Sequence, residues 1–292
     1  MSLAIRPAAP PPTAPQPLSD PERYPLAGRG GHPEDSVVDV GGVPVGGRRF
    51  TVIAGPCAVE SHAQFAAAAD AVERSGAHLL RGGAFKPRSS PYTFQGHGGD
   101  ALDVLREVSA ACGLPVVSEI LESGDLERMT PCVHAFQVGA RNMHNTALLK
   151  TLSRQRKPVL LKRGPAATVD ELLLSAEFLA AGGNEQIILC ERGIRTFETA
   201  TRNTLDLNGV AWLKARSHLP VIVDPSHGTG RRELVIPLAR AAVAVGADGI
   251  MVEVHPDPDA ALSDGMQSLS PAGFARLMAG IAPFVEAAGR TL

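Results

Sequence analysis

His78-Leu79-Leu80-Arg81-Gly82-Gly83-Ala84-Phe85-Lys86-Pro87-Arg88-Ser89-Ser90-Pro91 starts as the end of a buried strand and breaks into a loop with three cations and two hydroxyls. Glycine loosens that loop and proline stiffens it, which suits a backbone that must approach and hold a phosphate. The cations emerge from the end of an apolar run instead of lying along an exposed face. That placement indicates a site carried by a rigid scaffold.

The pattern repeats. Short apolar runs at residues 50–54, 78–80, 115–118, 135–138, 158–161, 186–189, 220–223 and 249–252 alternate with stretches rich in Ala, Leu and Glu at 63–75, 101–112, 169–181, 233–245 and 271–288. The short runs fit buried strands and the longer stretches fit helices. Eight alternations predict an α/β chain folded as a (β/α)8 TIM barrel, although order alone also permits an open doubly wound sheet. The residues following the runs decide between them: Cys57, Arg81, Glu119, Arg141, Lys162, Arg192, His227 and Glu253. Each can bind a metal, an anion or a proton. In a barrel these strand ends converge on the face where active sites of this architecture lie, whereas an open sheet spreads them along a line. Buried strand ends need no charge in order to fold, so the repetition indicates function.

With 292 residues and 44% hydrophobic content the chain can bury one large core, and one main domain is expected over residues 34–292. Residues 1–33 are proline-rich, as in Ala9-Pro10-Pro11-Pro12-Thr13-Ala14-Pro15, and predict a flexible tail. Residues 37–45 alternate around Gly41-Gly42 and predict a short N-terminal hairpin covering one end of the barrel. A net charge of −2 provides no global field for nucleic acid or an anionic membrane, so any anion site must be local. Cys57, Cys112, Cys132 and Cys190 form no Cys-x-x-Cys pair, which argues against a disulfide framework or structural zinc and fits a reducing, cytoplasmic setting. No apolar run is long enough to span a bilayer, and the N-terminus lacks the order of a secretory signal.

Cys57, His227, Glu253 and Asp264 are metal-ligand types at or just beyond strands one, seven and eight. A thiolate, an imidazole and two carboxylates suit one divalent Mn, Fe, Co or Zn ion better than Mg or Ca. His255 is a competing imidazole, ranked lower because Pro256 ends its strand. Arg81, Lys86, Arg88, Arg141, Lys162 and Arg192 bring six positive charges to the same end, where carboxylates or a polyanionic ligand must neutralise them. A polyanionic ligand is the favoured reading.

With those residues in view, the chain resembles the 3-deoxy-D-arabino-heptulosonate 7-phosphate (DAHP) synthases of the type I-beta branch. The resemblance runs from about residue 32 to 288, through His32-Pro33-Glu34-Asp35, Ala54-Gly55-Pro56-Cys57, Arg81-Gly82-Gly83, Lys86-Pro87-Arg88, Gly139-Ala140-Arg141-Asn142, Leu161-Lys162-Arg163-Gly164, Cys190-Glu191-Arg192-Gly193, Asp224-Pro225-Ser226-His227 and Glu253-Val254-His255-Pro256. It implies a barrel that condenses phosphoenolpyruvate with erythrose 4-phosphate, needs a divalent metal, and works as a homodimer or homotetramer. Carried over by motif, the metal ligands fall on Cys57, His227, Glu253 and Asp264. The phosphoenolpyruvate contacts fall on Arg81, Lys86, Arg141, Lys162 and Arg192, and the aldose phosphate contacts on Lys86, Arg88 and Ser89. Lys86 is the expected proton donor to the aldehyde oxygen, with neighbours that would lower its pKa.

Ser89 replaces the family's usual Thr, and Pro165 follows the Lys-Arg-Gly motif, where it could alter the loop after strand five. The proline-rich tail stands where many relatives carry a ferredoxin-like regulatory domain, so feedback inhibition through such a domain is not expected. The nearest rival is the 3-deoxy-D-manno-octulosonate 8-phosphate synthase family, which typically has Lys-Ala-Asn-Arg at Lys86-Pro87-Arg88 and takes arabinose 5-phosphate. A catalytically silent metabolite-binding barrel is the rival of another class.

Overall fold

The hairpin comes first: β1 (Val38–Val40) and β2 (Val43–Val45) pair antiparallel, with Val40 opposite Val43. The structure, a computed structural model, describes residues 23–87, 90 and 92–292. Eight strands then close a parallel barrel: β3 (Thr51–Gly55), β4 (Leu79–Arg81), β5 (Val116–Ile120), β6 (Ala135–Val138), β7 (Val159–Lys162), β8 (Ile187–Glu191), β9 (Val221–Val223) and β10 (Gly249–Glu253). Each pairs with its neighbour in sequence, and β10 closes on β3 with Gly249 opposite Thr51. The doubly wound alternative is thereby excluded.

Around the barrel lie α1 (His62–Arg74), α2 (Gly99–Cys112), α3 (Leu126–Met129), α4 (Thr146–Leu152), α5 (Val169–Ala181), α6 (Leu207–Arg216), α7 (Pro225–Thr229), α8 (Arg232–Ala244) and α9 (Pro271–Ala287). Their starts are written locally. Thr168 and Glu171 form a reciprocal capping box at α5, and Ser61 and Ser270 accept from backbone amides at α1 and α9. No helix among the described residues is long and apolar enough to cross a membrane.

Strand alternation sorts the core into two shells. Val52 and Ala54 of β3 pack outward under the helices, while Ile53 points inward with Leu79, Val117, Leu160, Ile222 and Met251. Val38, Val40 and Val45 of the hairpin join that inner cluster. The hairpin therefore plugs the barrel, and Gly41 lies against Pro115 and His134, which precede β5 and β6. The plugged end is thus the one where the strands begin, and the other end is left for chemistry.

The expected tail was drawn too long. Within residues 23–33 the chain is anchored on the barrel: Tyr24 is 3% exposed and Ala27 fully buried. The amides of Leu26 and Ala27 donate to Glu177 on α5, and Arg29 pairs with Asp35. His218 donates from Nε2 to the Leu26 carbonyl at 2.7 Å and accepts from Ser36 at Nδ1. A few anchors of this kind outweigh the proline-rich composition. The remainder of the expected tail, residues 1–22, lies outside the described residues.

Candidate active site

The C-terminal strand ends meet around a cavity of about 260 Å³. Among the described residues seven cations line it, Arg81, Lys86, Arg141, Lys162, Arg192, Arg195 and Arg202, against two carboxylates, Glu119 and Asp264. Arg81, Lys86, Lys162 and Arg192 are buried and form the floor, while Arg141, Arg195 and Arg202 are exposed at the rim. Backbone geometry sets the floor at β3, where Gly55 has φ +146° and a Cβ would come within 2.2 Å of the Arg81 carbonyl. Only glycine allows β3 to end against β4 there, and the chain then turns through Pro56 to Cys57.

Next to the floor, ligand atoms of Cys57, Glu253 and Asp264 all lie within 4.8 Å of one another. Asp264 has φ +55°, the one non-glycine residue in the left-handed region among those described. Aspartate tolerates that region better than most side chains, and such conformations gather at functional sites. His227 joins the cluster through Glu253, with Nε2 3.4 Å from Oε1. His255, the competing imidazole, is turned away from it. It accepts from the Asp257 amide at Nδ1 and faces Glu60 at 3.3 Å from Nε2, and Glu60 in turn accepts from the Leu262 amide.

Asp224 sets the state of His227. Its carboxylate accepts from His227 Nδ1 at 2.7 Å and from the His227 amide at 2.9 Å. Burial holds the imidazole pKa below its ordinary value despite the attraction of Asp224 and Glu253. With Nδ1 committed to Asp224, Nε2 is the ring nitrogen that faces the Glu253 carboxylate. The oxygen it faces, Glu253 Oε1, is fully buried and lacks a hydrogen-bond partner among the described residues. The Arg81 guanidinium stands 3.1 Å from the same oxygen and supplies positive charge beside it without a hydrogen bond. Burial, reinforced by Glu253, pushes the Cys57 thiol up to about 12. Burial alone would also raise Asp264, but His227 and the bond from Cys57 pull it well below the ordinary carboxylate range. A soft sulfur, an imidazole nitrogen and two carboxylates, one with an orphaned oxygen, fit a divalent first-row ion.

The cations divide into two sets. Arg81 faces Glu253 at 3.1 Å and Lys162 donates to Asp224 at 2.5 Å, so two of the expected anion ligands already have buried carboxylate partners. Lys86 donates to the Cys57 carbonyl at 3.1 Å, Arg141 to the Pro87 carbonyl at 2.7 Å and Arg192 to the Gly193 carbonyl at 3.2 Å. None of these three has a carboxylate within ion-pair distance among the described residues. Burial lowers the pKa of Arg192 below the ordinary guanidinium value. A buried cation such as Lys86 or Arg192 that is not ion-paired is one an incoming anion can neutralise.

The expectation for Lys86 needs correction. Burial does oppose its charge, but the Cys57 sulfur and Glu119 outweigh burial and Arg81, so its pKa is raised. Arg88 and Ser89, expected at the aldose phosphate, lie outside the described residues.

Sequence reasoning missed Arg195, Arg202, Gln137 and Gln267. The first two stand in the long loop between β8 and α6, where three arginines within eleven residues were a readable signal. Pro165, singled out for its position, lines the cavity, and its carbonyl accepts from the Arg195 amide at 2.6 Å.

The family described as "DAHP synthetase I family" matches residues 36–283. A phospho-2-dehydro-3-deoxyheptonate aldolase of Thermotoga maritima is 52% identical over 266 residues, 91% of this chain and 79% of that protein. Its crystal structure, a DAHP synthase, superposes with a TM-score of 0.89 over 91% of this chain and 78% of that one. A truncated form of the 3-deoxy-D-arabino-heptulosonate 7-phosphate synthase from the same organism gives a TM-score of 0.86 at 48% identity, covering 92% of this chain and 99% of that one. A 2-dehydro-3-deoxyphosphooctonate aldolase of Magnetococcus marinus is 34% identical over 78% of this chain and 85% of its own length.

Proposed function

This chain belongs to the DAHP synthetase I family, and on that premise we propose that it condenses phosphoenolpyruvate with erythrose 4-phosphate and water. The products are 3-deoxy-D-arabino-heptulosonate 7-phosphate and phosphate, the first step of the shikimate pathway. Identity to the heptonate enzyme exceeds identity to the octonate enzyme, 52% against 34%. The observation that carries the reading is the cavity itself: a cation-lined floor borders the cluster of Cys57, Glu253 and Asp264. Two phosphorylated substrates and a reacting aldehyde need both features side by side.

Arg192, Lys162, Arg141, Arg81 and Lys86 hold the phosphate and carboxylate of phosphoenolpyruvate, the guanidinium groups in two-pronged fashion and the ammonium groups as point charges. Arg88 and Ser89, with Lys86, take the phosphate of the aldose. Cys57, His227, Glu253 and Asp264 hold one divalent ion, which supplies Lewis-acid charge to the aldehyde when bound. The methylene carbon of phosphoenolpyruvate bonds to the aldehyde carbon while the aldehyde oxygen takes a proton. Water adds at the carbon bearing the phosphate, and phosphate leaves with cleavage of that carbon–oxygen bond.

Lys86 is the proton donor we assign. Its raised pKa keeps it protonated at neutral pH, which supports a donor and not a base. Holding the two substrates in register in a preorganised charged site provides much of the acceleration.

The family resemblance supports a homodimer or homotetramer. All four cysteines are free, which supports a cytoplasmic setting. Phosphate release from phosphoenolpyruvate, measured with erythrose 4-phosphate and with arabinose 5-phosphate in parallel, tests the reading. We expect erythrose 4-phosphate to be used and arabinose 5-phosphate to be poor. The reverse preference would move the chain to octulosonate synthesis, and no release with either would leave a binding barrel.

A further inference from the structure

Gln267 is not part of the cavity lining, yet it is 2% exposed and both ends of its amide are committed to residues of the site. Its Nε2 donates to Glu253 Oε2 at 2.5 Å, and its Oε1 accepts from Arg202 Nη1 at 3.0 Å. The orientation is forced, because only the amide oxygen can accept from a guanidinium and only its nitrogen can donate to a carboxylate. The same Arg202 nitrogen lies 3.2 Å from Asp264 Oδ1. A continuous chain of contacts results, Glu253 to Gln267 to Arg202 to Asp264, linking two carboxylates that reach the site from different elements.

The consequence lies in which oxygen of Glu253 is left over. Oε2 is taken by Gln267, so Oε1 alone faces His227 Nε2 at 3.4 Å and Arg81 at 3.1 Å, without a hydrogen-bond partner among the described residues. The backbone around Gln267 is equally set. It closes the 3₁₀ turn Gly265–Gln267 directly after Asp264, and its amide donates to the Asp264 carbonyl at 3.3 Å. One residue thus fixes the rotation of one carboxylate and borders the left-handed residue that carries the other.

We propose that Gln267 is a positioning residue for the metal centre: it turns Glu253 so that one oxygen is presented to the ion, and Arg202 holds the amide in the orientation this requires. This rests on the metal-centre reading of Cys57, His227, Glu253 and Asp264. Partners that orient a metal-ligating carboxylate typically contribute tenfold to a hundredfold in metal affinity, and Gln267 stands in that relation to Glu253.

The experiment titrates Co(II) into metal-free wild type, Gln267→Leu, Gln267→Met and Cys57→Ala, following the thiolate-to-cobalt absorption, with far-UV circular dichroism as the check on folding. We expect wild type to develop the absorption and Cys57→Ala to lose it. Gln267→Leu and Gln267→Met should develop the same absorption with affinity about tenfold to a hundredfold weaker. Turnover of both Gln267 variants should return close to the wild-type rate once metal is saturating, which a general loss of structure would not allow.

Folded Gln267 variants that bind Co(II) within twofold of wild type, or whose turnover stays low at saturating metal, overturn the positioning role and leave the metal centre standing. If Cys57→Ala keeps the absorption, or wild type never develops it, the metal-centre reading itself fails. Leu and Met fill the Gln267 volume differently, so a folding defect in one leaves the other to decide.

Discussion

Asp224 is the residue whose loss should be felt in two places at once. It is fully buried and accepts from Lys162 Nζ at 2.5 Å and from His227 Nδ1 at 2.7 Å, so one carboxylate neutralises one cation of the floor and fixes the imidazole that faces the metal cluster. Asp224→Asn keeps the shape and removes the charge. Lys162 is then a buried cation without its partner, and breaking such a pair costs about 3–5 kcal/mol of folding stability. His227 also loses the acceptor that holds its proton on Nδ1, which should weaken metal binding by about tenfold to a hundredfold, or roughly 1.4–2.8 kcal/mol.

Urea unfolding at neutral pH reads the first effect and Co(II) titration reads the second. Burial alone would raise the Asp224 pKa, but His227 and Lys162 hold it well below its ordinary 3.8. A depressed carboxylate stabilises above the unfolded-state pKa and loses that contribution as pH falls through the folded one. The gap between wild type and Asp224→Asn should therefore be full at pH 7 and begin to close only below about 3.8. A loss of less than about 1 kcal/mol with unchanged metal affinity would refute the shared role, since even one such buried pair should exceed it.

Arg192→Ala should raise the KM for phosphoenolpyruvate about tenfold to a hundredfold, from the roughly 1.5–3 kcal/mol of a charged hydrogen bond, without lowering the unfolding midpoint, because no carboxylate loses its partner. Lys86→Met should cut kcat while the protein still binds phosphoenolpyruvate, and near-native turnover at saturating substrates would remove Lys86 as the proton donor. His78 accepts from the Val52 amide at Nδ1, and burial, helped by Arg49, lowers its pKa to about 4. Below its ordinary 6.5 the unfolded chain takes a proton that the folded chain refuses, so stability falls from there down to about pH 4. His78→Gln, which can still accept from Val52, should flatten that slope in urea midpoints measured across the range.

The barrel was legible because each strand is short, buried on both faces and bounded by breaks, and the runs at 50–54 and 249–252 overlap β3 and β10 closely. The long helices α1, α2, α5, α8 and α9 were found to within about two residues. α4 and α6 were not, since the seven residues of α4 give little periodicity and Gly209 interrupts α6. At the site, residue type at strand ends picked out Cys57, Arg81, Lys162, Arg192, His227 and Glu253. Pairing was hidden, because Lys162 and Asp224 are 62 residues apart and meet only when the barrel closes. Lys86 shows the same limit: its cationic neighbours are visible in sequence, but Glu119 comes from another strand. Gln267 carries no charge and follows no strand, so nothing local marked it.

The most direct test is metal content against turnover on one preparation: strip the protein with a chelator, measure phosphate release from phosphoenolpyruvate with erythrose 4-phosphate, then restore Mn, Fe, Co or Zn in steps. The account predicts that release stops on stripping and returns in proportion to bound metal, reaching its plateau at one ion per chain, while Cys57→Ala fails to recover. Full turnover by metal-free protein, or recovery that does not depend on Cys57, would contradict it.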